Sequence, residues 1–147
     1  MKYSNRLVGK WVAASILLVT ATFAAAQDIN VYKRASCGCC GKWIEHLRAN
    51  GFTPQVHEMQ ELDPIKQKLG IPQQLRTCHT AQIGGYAIEG HVPADLIRKL
   101  LKERPDAIGL AVPSMPPGSP GMEGPSKIDY AVLLIKRDGS FSTYANR

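Results

Sequence analysis

The stretch "DINVYKRASCGCCGKWIEHLRANGFTPQVHE", residues 28–58, decides how the rest of the chain is read. Asp28 to Lys33 alternate and carry β-branched and aromatic side chains, the pattern of a strand. Cys40, Trp43, Ile44 and Leu47 then recur at the spacing of one buried helical face, while Lys42, Glu45 and Arg48 fall elsewhere. Asn50-Gly51 ends that helix, and "TPQVHEM" (53–59) reads as a second strand. A strand, a helix and a strand in so short a span argue for an α/β domain with some parallel pairing.

The pattern extends outward from there. Asp63-Pro64 reads as the cap and first residue of a short helix ending at Gly70. "TAQIGGYAIEG" (80–90) holds two strand-like pieces around Gly84-Gly85, a hairpin signal. Pro93 opens a further helix with Leu96, Ile97, Leu100 and Leu101 as its apolar stripe. From Glu103 to Lys127 the chain carries six of its ten prolines and four glycines, so this segment reads as one long loop without regular structure. "YAVLLI" and "SFSTY" around Arg137-Asp138-Gly139 read as a C-terminal hairpin.

The N-terminus points to export. Lys2, Arg6 and Lys10 precede an apolar run from Trp11 to Phe23 and the small-residue tripeptide Ala24-Ala25-Ala26, the layout of a cleavable signal peptide. The run falls short of the roughly 20 residues that span a bilayer comfortably, so residues 1–26 are expected to be removed and 27–147 to form one periplasmic domain with no stable membrane span. Without the leader the net charge falls from +6 to about +3. That mild excess, with no basic run interleaved with aromatics, argues against a nucleic-acid partner.

Four cysteines, Cys37, Cys39, Cys40 and Cys78, survive processing. Disulfides are the default in an oxidising compartment, yet a bridge within residues 37–40 closes almost no chain and constrains the unfolded ensemble little. A cysteine loop between a strand and a helix sets sulfur at the helix N-terminus, where the macrodipole favours the thiolate that metals and disulfide exchange both require. Cys37 and Cys40 have the C-x-x-C spacing of a redox pair, but Cys39 between them would compete in exchange, which points toward a metal. Zinc sites pair two short chelating elements, and the second one here is only Cys78-His79. Crowded thiolates suit several bridged Cu(I) ions better. Met115 and Met122 in the Pro/Gly-rich segment add soft thioether donors, and His79 is the first histidine candidate. His91, at the turn before the Pro93 helix, ranks behind it, while His46 and His57 read as surface residues.

"CGCCGKW", "CHTA", "GYAIEGHVP", "GLAVPSMPPGSPGME" and "YAVLLIKRDG" together resemble the CopG-like periplasmic copper-resistance family, long catalogued as a domain of unknown function. The resemblance runs over about residues 28–140. It implies a thioredoxin-like mixed sheet flanked by helices, with the long Pro/Gly/Met loop and the terminal hairpin added. It also implies copper tolerance in the cell envelope through Cys37, Cys39 and Cys40. By position, Cys78 and His79 would fall just before the third strand, beside the first-helix cysteines, and the methionine loop carries Met115 and Met122. The expectation is therefore a copper protein that sequesters several Cu(I) ions, passes them to an efflux system, or cycles Cu(I) and Cu(II) with a periplasmic electron-transfer partner. Two alternatives stay open: a thiol-disulfide oxidoreductase in which Cys37 attacks and Cys40 resolves, and a structural disulfide from Cys78 to one loop cysteine.

Overall fold

A computed structural model describes residues 27–147, and the leader read at residues 1–26 lies outside them. The elements in chain order are β1 (Gln27–Lys33), α1 (Gly38–Ala49), β2 (Phe52–Glu58), α2 (Asp63–Lys68), a 3-10 turn (Gln73–Leu75), β3 (His79–Ile83), β4 (Tyr86–Gly90), α3 (Ala94–Glu103), β5 (Ala107–Val112), β6 (Ala131–Lys136) and β7 (Phe141–Asn146). All seven strands join one mixed sheet in the order β2-β1-β3-β4-β5-β6-β7. β1 and β2 run parallel with α1 as their crossover, and β4 and β5 run parallel with α3 as theirs; the other neighbours are antiparallel. The α/β sheet with flanking helices and a terminal hairpin is thus the expected one. No helix among the described residues is long and apolar enough to cross a membrane.

The main core lies between the sheet and one face of each long helix. Cys40, Trp43, Ile44 and Leu47 of α1 and Leu96, Ile97 and Leu100 of α3 are buried, as their spacing requires. They close over Ile29 and Val31 of β1, Ala81 and Ile83 of β3, and Leu110 and Val112 of β5. Fully burying each large apolar side chain contributes about 1.5–3 kcal/mol relative to leaving it exposed, so this layer outweighs the weak propensities of the short strands. A smaller cluster of Leu75, Ala111 and Ile135 forms separately beneath the 3-10 turn.

Two expectations are corrected here. β5 occupies residues 107–112, inside the segment read as an unstructured loop. Five of its six residues are buried, so "AIGLAV" is a continuous apolar run with no alternation to mark it. The second correction concerns His46, read as a surface residue of α1. It is half-buried, and its Nε2 accepts the backbone N–H of Ala94 at 3.1 Å. α3 has no side-chain cap of its own after Pro93, so a histidine from another helix satisfies one of its orphan N–H groups.

That borrowed cap is pH-sensitive. Burial holds the His46 pKa below its ordinary value of 6.5, with Glu123 and Asp95 opposing. The neutral ring is the acceptor, and its folded pKa lies below the unfolded one. As pH falls through 6.5, the unfolded chain takes up a proton before folded His46 does, and the cap's contribution is lost. We expect His46→Ala to cost about 1 kcal/mol at pH 8, read from urea midpoints, with the difference from wild type shrinking as pH drops below 6.

Candidate metal centre

Four separate pieces of chain reach one end of the sheet because of how the strands pair. Lys33, the last residue of β1, stands opposite His79, the first of β3, so the loop after β1 and Cys78 before β3 meet there. β3 pairs with β4 so that Thr80 faces Glu89, and continuing this register by two residues sets Cys78 opposite His91. β5 is parallel to β4 with Val112 beside Gly90, so the segment leading to Met115 leaves at the same end.

The cysteine loop is held as the sequence pattern requires. The Cys37 N–H bonds to the Arg34 carbonyl at 3.1 Å, and Cys37 is the N-cap residue of α1. Cys39 and Cys40 follow in the first turn, where free N–H groups and the helix dipole favour negative sulfur. Cys37 and Cys40 are joined by a disulfide, and Cys39 and Cys78 are free thiols. The bridge spans three residues and is no staple, and Cys78 is not bridged to the loop.

Cys78 is the hub of the site. Its Sγ lies 3.0 Å from Cys37 Sγ, 3.4 Å from Cys40 Sγ, 3.5 Å from Met115 Sδ and 3.7 Å from His79 Nδ1. Cys39 Sγ lies 3.7 Å from Cys37 Sγ and 3.8 Å from Met115 Sδ. Burial, with Cys39 beside it, pushes the Cys78 thiol up to about 11. A thiol held protonated in this way is a poor nucleophile toward the adjacent disulfide despite the short distance. A bound metal ion reverses that balance, because coordination itself displaces the proton.

Both histidines here are buried and neutral. His79 Nε2 donates to the Gly90 carbonyl at 3.0 Å, which leaves the Nδ1 lone pair on the side of Cys78. Burial, and His91 next to it, hold the His79 pKa down at about 3. His91 Nδ1 donates to the Pro120 carbonyl at 2.7 Å, and its Nε2 is buried with no partner among the described residues. A ring nitrogen of His91 and the sulfurs of Cys39 and Cys78 all lie within 4.8 Å of one another. Sequence reasoning ranked His91 behind His79. The signal that would have raised it is the hairpin register counted outward from Gly84-Gly85, which pairs it with Cys78.

The loop after β5 closes over the sulfurs. Ser114 and Met115 take left-handed backbone, φ 65° and 45°, a costly conformation for such residues that turns the Met115 thioether toward Cys39 and Cys78. Further on, Gly121 rests directly on α1: a Cβ there would sit 2.8 Å from Trp43 N and 3.2 Å from Cys39 O. With φ at +85°, only glycine fits without strain. Gly121→Ala is expected to lift this segment and to weaken metal binding several-fold with little change in secondary structure, read by chelator competition beside circular dichroism. Met122 is half-buried and makes no sulfur contact. It lines a cleft of about 450 Å3 with Gly38, Cys39, Lys42, Gly121 and Glu123. His57, as expected, is exposed, and its ring stacks on Tyr32.

A mixed α/β sheet that gathers thiols, a thioether and neutral imidazoles at one end of its strands defines a protein with a soft-donor site. A family profile described as "Protein of unknown function, DUF411" matches residues 75–122. Two solved chains, described as "Copper resistance protein copG", Form 1 and Form 2, are each 46% identical to it. Each match covers 83% of this chain and 98% of the solved one, with a TM-score of 0.78. No curated protein matches. The chain belongs to the CopG copper-resistance family, as its motifs suggested.

Proposed function

We propose that the protein is an exported copper-binding protein of the cell envelope, with residues 27–147 as its working, thioredoxin-like domain. It holds Cu(I) through Cys37, Cys39, Cys40, Cys78 and His79, with Met115 completing the donor set and Met122 at the mouth of the cleft beside Cys39. The observation that carries this reading is the convergence of three donors besides Cys37 on Cys78 Sγ, namely Cys40, Met115 and His79, all within 3.7 Å. Sulfur and imidazole together match Cu(I) and suit hard cations poorly. The family supports the choice of copper, since the two solved relatives are described as copper resistance proteins.

The disulfide sets a condition on loading. Bridged, Cys37 and Cys40 are withdrawn, and two electrons with two protons restore both thiols. Run the other way, oxidation of the two thiols releases two electrons and two protons, enough to reduce two Cu(II) to Cu(I). The same site can thus store copper, hand it to an efflux system, or change its oxidation state with an electron-transfer partner.

Native mass spectrometry of the reduced protein tests the reading: two or more coppers per chain are expected, fewer in Cys39→Ser. A metal-free chain under copper excess would sink it. Trp43 is a built-in reporter, because its ring packs 4.6 Å from that of His79 and the chain's other tryptophan, Trp11, lies in the leader. Copper is expected to quench its fluorescence in wild type and much less in His79→Ala.

One observation favours a second reading. A C-x-x-C disulfide at the N-terminus of a helix, Cys37 to Cys40, is also the arrangement of an exchange enzyme. Turnover of a disulfide substrate by a Cys39→Ser/Cys78→Ser variant at the wild-type rate would support it.

A further inference from the structure

A buried ion pair stands beside the Cys78–His79 corner. Lys66 of α2 and Glu89 of β4 are 2% and 0% exposed. Lys66 Nζ donates to Glu89 Oε1 at 2.5 Å and to the His79 carbonyl at 3.2 Å. Glu89 Oε1 also accepts the Thr77 N–H at 2.5 Å. The Thr77 hydroxyl lies 2.9 Å from Glu89 Oε1 and 3.1 Å from the His79 carbonyl, and has one hydrogen to give. All the donors crowd onto one carboxylate oxygen, while Glu89 Oε2 is buried with no partner among the described residues.

Such a pair is a poor device for stability. Desolvating two charges costs several kcal/mol each, and well-packed apolar residues of similar volume often do as well or better. What this pair does hold is position. Its contacts fall on Thr77 and His79, the two neighbours of Cys78 in the chain.

We infer that Lys66, Glu89 and Thr77 are positioning residues for the metal site, a polar clamp that fixes the Cys78–His79 corner. The inference rests on the copper reading above. The test is Cu(I) affinity of the reduced protein, measured by competition with a chromophoric chelator, alongside the thermal midpoint. Lys66→Met/Glu89→Gln removes both charges at near-constant volume. It is expected to stay folded and to bind Cu(I) about 10- to 100-fold more weakly, the range for groups behind metal ligands. Thr77→Val removes only the hydroxyl, and decides the matter if the double variant does not fold: a threefold or larger loss of affinity is expected. Wild-type affinity in the folded double variant, or in Thr77→Val, overturns the clamp. A wild-type protein that takes no Cu(I) overturns the copper reading instead.

Discussion

Cys78→Ser will lose most of the bound Cu(I), with affinity falling at least about a hundredfold, or roughly 2.8 kcal/mol. The size of the effect follows from connectivity. Cys78 Sγ is in reach of Cys37, Cys40, Met115 and His79, whereas Cys39 Sγ lies against Cys37 and Met115 at 3.7 and 3.8 Å. Serine keeps the shape but offers a hard oxygen, which Cu(I) binds poorly. The fold should survive, because the Cys78 side chain is partly exposed and lies outside the main core. Chelator competition together with a thermal scan separates the two effects. An unchanged affinity would mean that the sulfur cluster is not where copper sits.

Lys66→Ala will destabilise the fold by about 3–5 kcal/mol. It leaves the buried Glu89 carboxylate without its cation, with only the Thr77 N–H and hydroxyl still beside it. For a domain of this size, that loss corresponds to a fall in Tm of more than about 10 °C. Scanning calorimetry of the metal-free protein checks it, and a fall under about 3 °C would show that Glu89 is relieved by other means. The paired change Lys66→Met/Glu89→Gln should cost far less, since it strands no charge.

Much of the frame was legible because local rules and tertiary packing agree along it. The α1 stripe at Cys40, Trp43, Ile44 and Leu47 needed only helical periodicity, and Gly84-Gly85 and Asp138-Gly139 marked the two hairpins. β5 was hidden because a strand buried on both faces has no alternation, and because prolines flank it on both sides. The cysteines announced themselves by crowding. His91, the Lys66–Glu89 pair and the role of His46 did not, since each depends on a partner 20 or more residues away. Met115 and Met122 were indistinguishable in the sequence. A left-handed turn, invisible in residue type at Ser114 and Met115, turns one of them toward the sulfurs.

The site has no local precursor. Its sulfurs come from chain positions as far apart as Cys37 and Met115, and they meet only when strand order and register are complete. An unfolded chain, or a fragment cut between β3 and β5, offers scattered thiols rather than this cluster. Metal capture at the proposed site would therefore follow the closing of the sheet, and whatever unfolds the sheet would discharge the metal in the same step. On the proposed reading, copper bound here would weight the folded state by mass action, so a loaded chain should resist heat and proteases better than an empty one.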